Sequence, residues 1–411
     1  MIAGDERVFW GALVKREITA GHNESNHPPH ILVLPSWVSD ADDKLADVFF
    51  VEQAHALQNH GMRVGYVCVG QRSLHKFTPK KLRETHYQVS LGSENGLCTM
   101  RMHAWNSLIQ TVRGGRIWAR LCEYLVGRYI RDVGRPDVIH AHCSLWAGYA
   151  ASKIRRRWGI PFVLTEHSCS FPLDEISDAQ RPYVRRALTE ADRVIAVSRY
   201  QRDSLQRYAA KREILCIPNC VDTEFFTPAP PRPSGPFTFL TVCNLIPRKG
   251  VDLLLRSFAG LCLSGCDVRL EIVGAGPEEA ALKQLARDLS IADSVCFRGE
   301  QSRSGVRQAL WRAHALVLAS SLETFGVVLI EALATGIPII ATDSGGALDI
   351  VHPGVGATVP HGSPEALESA MRALLNNEYS AVAIRADAVR RFSNAAVANA
   401  LREVYARVLA K

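Results

Sequence analysis

The stretch SSLETFGVVLIEALATGIPIIATDSGG, residues 320–346, carries two glutamates, Glu323 and Glu331, eight positions apart in a largely apolar run. Carboxylates are rarely buried without a partner, so these two either cap and brace a helix or face a ligand. The preceding ALVLAS reads as a strand, and a helix is predicted to begin near Phe325–Gly326. The N–H groups of Phe325, Gly326 and Val327 would then form a helix N-terminus, whose free donors and positive dipole end suit a phosphate. Glu331, further into the helix, is placed to accept hydrogen bonds from a ribose diol.

Neighbouring motifs point to the same chemistry. In NLIPRKG (244–250), Arg248 and Lys249 follow a predicted strand and precede a helix. Adjacent cations there suit a diphosphate, with arginine able to grip two oxygens. VGAGP (273–277) puts glycines where a backbone turns sharply or approaches a ligand, but it lacks the third glycine of a dinucleotide fingerprint. That absence argues against a nucleotide-linked dehydrogenase. TEHSCS places Glu166 and His167 at a strand end, where His167 could hydrogen-bond a sugar hydroxyl or cap the turn. HAHCSLWAG puts His140 and His142 on one strand face. With no third ligand evident, a structural or acceptor-lining role for His142 is favoured over a metal site. No metal and no cofactor are expected.

These residues need a scaffold. HILVLPSW (30–37) reads as a doubly buried strand, DKLADVFFVEQAHALQNHG (43–61) as a helix and MRVGYVCVG (62–70) as the next strand. The alternation continues through PDVIHAH, PFVLTEHS, ADRVIAVS and EILCIPN. The proline-rich FTPAPPRPSGPF (226–237) is predicted to be the interdomain linker. A second strand–helix series follows. The expected architecture is α/β, two doubly wound Rossmann-like domains facing a cleft. Residues 1–29 are predicted to be a loose extension, 30–230 one domain, 231–390 the other and 391–411 a helix bracing both; the resemblance named below implies that 30–230 binds the acceptor and 231–390 the nucleotide-sugar. In such sheets ligands bind beyond the carboxyl ends of the strands.

With 411 residues, the chain is too long for one ordinary core. The net charge of +7 is uneven: residues 1–232 hold 31 Lys+Arg against 24 Asp+Glu, and the remainder 17 against 17. The basic half suits an anionic surface or acceptor. Residues 103–135 read as a basic amphipathic segment with Trp105 and Trp118, suited either to an anionic membrane or to domain packing. Gly114–Gly115 is expected to weaken or split that helix. No apolar run is long enough to span a bilayer. The eleven cysteines include no CxxC and suit a reducing compartment. A nucleic-acid partner is not expected.

Taken together, RKG, VGAGP, FRG, IPNCVD and the E-x7-E element at Glu323 and Glu331 resemble the GT-B-fold retaining glycosyltransferases of family 4, over residues 30–400. The resemblance implies that Glu331 binds the nucleotide ribose and that Arg248 and Lys249 bind the diphosphate. It implies that Glu323, with the backbone of Thr324–Val327, contacts donor sugar and phosphate, and that Phe297 and Arg298 flank the base. His167 matches a family histidine that faces the reacting sugar. The donor would be a UDP- or GDP-linked sugar, used without a metal. One departure stands out: LPSWVSDADDKLADVFFVEQ replaces the Gly-Gly loop that many relatives carry after the first strand. This resembles a Pro-Ser-Trp subgroup linked to bacterial surface polysaccharides, and it suggests that Ser36 and Trp37 line the acceptor side. The expected acceptor is a saccharide or lipid-linked saccharide, met in the cytoplasm or peripherally on the inner face of the membrane. A soluble small-molecule acceptor and a catalytically inactive sugar-nucleotide binder are the alternatives.

Overall fold

The computed structural model describes residues 27–38, 48–72, 86–94, 96–109, 111–209, 211–230 and 235–410. The predicted extension up to residue 26 and the start of the predicted helix at 43–47 lie outside the described residues.

The first sheet has the order β3-β4-β2-β1-β5-β6-β7-β8. Its strands are β1 His30–Pro35, β2 Arg63–Arg72, β3 Val89–Glu94, β4 Leu97–Trp105, β5 Val138–His142, β6 Phe162–Glu166, β7 Arg193–Ala196 and β8 Ile214–Cys216. All pairs are parallel except β3–β4. The helices around it are α1 Val48–Asn59, α2 Val112–Asp132, α3 Tyr149–Trp158, α4 Arg181–Glu190 and α5 Arg199–Gln206. β1 and β5 are buried along their whole length, as strands covered by helices on both faces must be.

The second sheet is parallel throughout, in the order β11-β10-β9-β12-β13-β14. Its strands are β9 Phe237–Val242, β10 Val268–Val273, β11 Val295–Phe297, β12 Ala315–Leu318, β13 Ile339–Thr342 and β14 Gly356–Val359. Its helices are α6 Val251–Leu263, α7 Glu279–Asp288, α8 Arg303–Arg312, α9 Val327–Ala334, α10 Pro364–Asn376 and α11 Ala381–Phe392. The final helix, α12 Asn394–Leu409, leaves this domain and packs on the first. Its Val397, Leu401, Val404 and Tyr405 join Ile31, Val33, Ala54 and Val163 in one apolar cluster.

The crossing point differs from the expected linker. The chain passes between domains at Val221 and again at Ser393, where the two segments bridge each other and Val221 N donates to Phe392 O at 2.8 Å. Phe226 is already part of the second core. Trp311 Nε1 donates to Thr227 O at 2.8 Å, tying the start of the proline-rich run to α8. The start of the proline-rich run thus belongs with the second domain instead of lying between the two.

The 103–135 segment is also resolved differently. Residues 103–105 end β4, and α2 runs unbroken through Gly114–Gly115. A Cβ on Gly114 would lie 1.8 Å from Leu108 O, and one on Gly115 would lie 1.9 Å from the Trp146 ring. The glycines serve close packing and leave the helix whole. Trp118 is 1% exposed and donates Nε1–H to Val69 O at 3.0 Å, so it is a core residue.

Candidate active site

The predicted chemistry gathers at the carboxyl ends of β5 and β6 in one domain and of β9 and β12 in the other, facing across the gap between them. Arg248 and Lys249 form a 3-10 turn, Pro247–Lys249, between β9 and α6. Arg248 Nη1 reaches Cys169 Sγ of the first domain at 3.4 Å, while its buried Nε has no partner among the described residues. Lys249 is already engaged: its Nζ lies 2.5 Å from Glu323 Oε1, which also accepts from Ser320 Oγ at 2.7 Å. A diphosphate would therefore share Lys249 with Glu323 instead of meeting a free cation.

Glu323 also organises its surroundings through its backbone. Its N–H donates to Ser344 O at 2.7 Å, and its carbonyl accepts from Gly346 N at 2.8 Å. This seam explains the terminal Gly-Gly. A Cβ on Gly346 would lie 2.2 Å from Thr324 O, and one on Gly345, at φ 88°, would lie 2.4 Å from the Tyr200 ring of the first domain. Phe325 is only 2% exposed and packs edge-on to Phe392, so of this residue only the backbone is offered to a ligand. Gly326 takes a left-handed conformation, φ 98°, and α9 begins at Val327. Leu329 N donates to Gly326 O at 3.0 Å, which leaves the N–H groups of Val327 and Val328 ahead of the helix's own ladder.

Glu331 sits half-buried in α9. Burial pushes its carboxyl up to about 8, with Glu52 adding to the shift and Arg303 opposing it. Glu52, on α1 of the other domain, is pushed up to about 7, again first by burial. Arg303 Nη2 lies 2.5 Å from Glu52 Oε1 and 3.7 Å from Asp222 Oδ2. Its guanidinium stacks 4.2 Å from the Phe225 ring centre. Sequence reasoning missed this bridge between domains. The available signal was a cation in the first turn of α8, against the helix dipole. It also missed Ser198, whose Oγ caps α5 and donates to Thr324 O at 2.6 Å. Nor did it find Asp349, which holds Arg199 across the same gap at 2.5 Å.

On the base side, Phe297 is half-buried with Lys283 Nζ 5.5 Å from its ring centre. Arg298 is exposed, and its Nη2 pairs with Glu271 Oε1 at 2.8 Å. A cavity of about 520 Å³ lined by Val273, Arg298, Gln301 and Arg312 opens beside it. The VGAGP glycines pack against backbone, not open space: a Cβ on Gly274 would lie 1.8 Å from Cys243 O.

In the first domain Glu166 is fully buried and accepts four hydrogen bonds, from Ser144 N and Oγ, His167 N and Ser168 N, at 2.6–3.0 Å. It braces the turn that carries His167. His167 is 8% exposed, with its Nε2 3.0 Å from His142 Nδ1 and its ring against the adjoining rings of Phe49 and Phe50. Burial lowers its imidazole to about 3, and the neighbouring His140 adds to that. The acceptor-lining expectation for His142 is corrected: it is 1% exposed, covered by Phe50, and stands behind His167. His140 spends both ring nitrogens, on Thr165 Oγ1 and Tyr405 OH, each at 2.7 Å. Ser36 is likewise turned inward, donating to His142 O at 2.7 Å and accepting from Ala147 N at 3.0 Å. Trp37 is partly exposed, with its ring 5.2 Å from Phe50.

Comparison with known proteins agrees with this geometry. The profile described as Glycosyltransferase Family 4 matches residues 46–225, and that described as Glycosyl transferases group 1 matches residues 222–396. The phosphatidyl-myo-inositol mannosyltransferase of Mycobacterium leprae is 32% identical over 306 residues, covering 69% of this chain and 76% of that protein. One component of the human phosphatidylinositol N-acetylglucosaminyltransferase is 30% identical over 227 residues, 54% of this chain, which spans about half (47%) of that relative's length. Among solved structures, sucrose-phosphate synthase from Thermosynechococcus elongatus superposes with a TM-score of 0.74 at 21% identity, covering 93% of this chain and 100% of that one. Anabaena HepE in complex with UDP gives 0.68 at 19%, covering 92% and 100%. At such identities the likeness is one of fold, and that fold, two facing Rossmann-like domains, is GT-B. The chain belongs to glycosyltransferase family 4, the glycosyl transferases group 1.

Proposed function

We propose that the protein moves a sugar from a nucleotide diphospho-sugar to a hydroxyl group with retention of anomeric configuration. One observation carries this reading: Arg248, whose Nε has no partner among the described residues, follows β9, the first turn of α9 follows the adjacent β12 with Glu331 further along the helix, and both strand ends belong to the domain opposite the one that carries His167. Arg248 and Lys249, with the N–H groups of Phe325, Gly326 and Val327, hold the diphosphate and stabilise the charge it gains on leaving. Glu331 takes the ribose hydroxyls, Phe297 and Arg298 flank the base, and Glu323 and His167 meet the transferred sugar. The UDP held by the structurally similar HepE supports a nucleoside diphosphate-linked donor, read here as UDP- or GDP-linked.

The carboxylate beside His167, Glu166, has its oxygens saturated by four donors and is not free to attack. Front-face displacement, in which the leaving phosphate oxygen takes the acceptor's proton, is therefore the favoured course. The acceptor is a lipid-linked saccharide of bacterial surface-polysaccharide assembly, with the basic face of α2 resting on an anionic membrane. Among the described residues no helix is long and apolar enough to cross one.

A second reading, a soluble acceptor, draws on the D-inositol 3-phosphate glycosyltransferase of Thermobispora bispora, 29% identical over 326 residues. Thermal shift with UDP, GDP, ADP and their sugar conjugates in EDTA tests the donor site, because a ligand bound only by the folded state raises the melting temperature. No shift in folded protein would overturn it, and an inverted anomer in the NMR spectrum of the product would overturn retention.

A further inference from the structure

Strand β7 ends at Ala196, and the residues that follow it lean on the other domain. Val197 is 2% exposed and belongs to the apolar core of the second domain. Each of the next three residues meets that domain in its own way. Ser198 Oγ donates to Thr324 O at 2.6 Å. Arg199 gives its backbone N–H to Asp349 Oδ2 at 2.6 Å and its Nε to Asp349 Oδ1 at 2.5 Å. The Tyr200 ring lies against Gly345, where only a residue without a side chain fits. The segment is thus seated on the second domain at consecutive positions, with the Ser198 hydroxyl on one particular carbonyl.

That carbonyl belongs to the loop that holds the diphosphate in the proposed function. The peptide between Thr324 and Phe325 is planar and trans, so its N–H points opposite to its C=O, and fixing one fixes the other. The Phe325 N–H finds no backbone acceptor among the described residues, so no ladder holds this peptide from that side. Turned over, the peptide would present a carbonyl oxygen in place of the N–H and repel a phosphate. Two contacts oppose the turn. Gly346 lies flush against the peptide, since a Cβ on it would stand 2.2 Å from Thr324 O and 2.6 Å from Phe325 N. Ser198 supplies the hydrogen bond. The same hydroxyl accepts from Gln201 N at 3.0 Å as the N-cap of α5. A hydroxyl accepts through a lone pair and donates its single proton, so cap and carbonyl do not compete for it. Gln201 in turn donates Nε2–H at 3.0 Å to the carbonyl of Ser168, the residue after His167. A short chain of hydrogen bonds therefore runs from the donor loop to the turn that carries His167.

We propose that Ser198 of the first domain is a positioning residue for the donor site of the second: by holding the Thr324 carbonyl it keeps the Phe325 N–H turned to serve the diphosphate. The inference rests on the proposed reading of that loop as the diphosphate site. It makes the site complete only when the first domain is docked on the second.

The test is calorimetry of the full chain with UDP and with GDP, with uridine and guanosine as phosphate-free controls followed by NMR titration. Ser198→Thr keeps both the cap and the donated proton and should bind like the wild type. Ser198→Gly keeps most of the cap, because glycine is a fair N-cap, but has no proton to give. It should bind the diphosphate that the wild type prefers about 10-fold more weakly, with the nucleoside affinity unchanged. A general lesion of the fold would lower both. Ser198→Ala loses the cap as well, so it should melt below Ser198→Gly yet bind the diphosphate equally weakly. If the added methyl group of Ser198→Thr unfolds the chain, this comparison of the Gly and Ala variants with the wild type decides. Wild-type diphosphate affinity in Ser198→Gly would overturn the positioning role alone. A folded wild type that binds neither diphosphate would overturn the proposed function, and the role of Ser198 with it.

Discussion

At the scale of single residues, Glu331 is the most informative group. Its carboxyl is held at about 8 by burial, so at pH 7 it is largely protonated before donor binds. In the proposed role a ribose diol donates to the ionised form, and nucleotide binding would then expel a proton. The dissociation constant should therefore fall as pH rises from 7 to 9, and calorimetry in buffers of different ionisation enthalpy should register that proton. Glu331→Gln should remove the slope and cost about 1.5–3 kcal/mol of binding, roughly 10–150-fold in Kd. An unaltered slope in the variant would show that Glu331 does not meet the nucleotide.

The same two carboxyls set a pH dependence of stability. Glu52 titrates at about 7 and Glu331 at about 8, both above the ordinary 4.5. The folded protein thus binds more protons than the unfolded chain between about pH 4.5 and 8. The contribution of these groups is most favourable at the acid end and is lost as pH rises through that window. Denaturation midpoints at pH 5.5 and 8.5 should differ more in the wild type than in a Glu52→Gln/Glu331→Gln double variant. The E-x7-E spacing and the RK pair were legible in the sequence because each sits beside a strand end. The pairing of Lys249 with Glu323 was not, because it joins loops 74 positions apart. Nor was the role of Glu166, whose oxygens are taken up by the turn that carries His167 and by Ser144, 22 positions earlier.

At the scale of elements, strand–helix alternation was readable almost throughout, since fully buried parallel strands leave short apolar runs. What periodicity could not show was why a helix tolerates two glycines. In α2 the answer is Trp146, pressed against Gly115. Gly→Ala in a helix ordinarily gains about 1 kcal/mol. Here Gly115→Ala should instead cost about 1–3 kcal/mol through overpacking, read as a lowered melting temperature; a raised one would show that Trp146 moves aside cheaply.

The outer face of α2 carries Arg113, Arg116 and Arg120, with Ile117 and Tyr124 exposed among them. Each arginine near an anionic bilayer is worth about 1 kcal/mol. Replacing the three with glutamate should abolish co-sedimentation with phosphatidylserine vesicles at unchanged melting temperature. Retained binding would move the membrane contact elsewhere. The sequence left this segment open between an anionic membrane and domain packing, and the structure gives the Trp118 ring to the core.

At the scale of the whole molecule, the two sheets and their facing arrangement were legible, while the domain boundary was not. A proline-rich run looks like a linker, but Trp311 ties its start to α8, and the true crossings are Val221 and Ser393, bonded side by side. Between the domains stand Arg303–Glu52, Arg199–Asp349 and Ser198–Thr324, polar contacts whose partners lie far apart in sequence. Removing residues 393–411 should leave the second domain folded and the first exposed along Ile31, Val33 and Val163. Strong dye binding with partial loss of the cooperative transition is the expected result, and a fully cooperative first domain would refute it.

The hydrogen bond from Tyr405 to His140 also bears on how the protein is made. A chain leaves the ribosome from its N-terminus at about 5–20 residues per second, and early domains usually fold first. Here the earliest strands cannot complete their interior until the last helix has been synthesised. The nascent first half must wait, partly uncovered, through the translation of the entire second domain. The second domain, whose core draws on residues from Val221 to Phe392 besides Val197, is thus the earlier to become self-sufficient. The order of folding would then run against the order of synthesis, and the growing chain's need for chaperone cover would last until residues 394–409 have emerged.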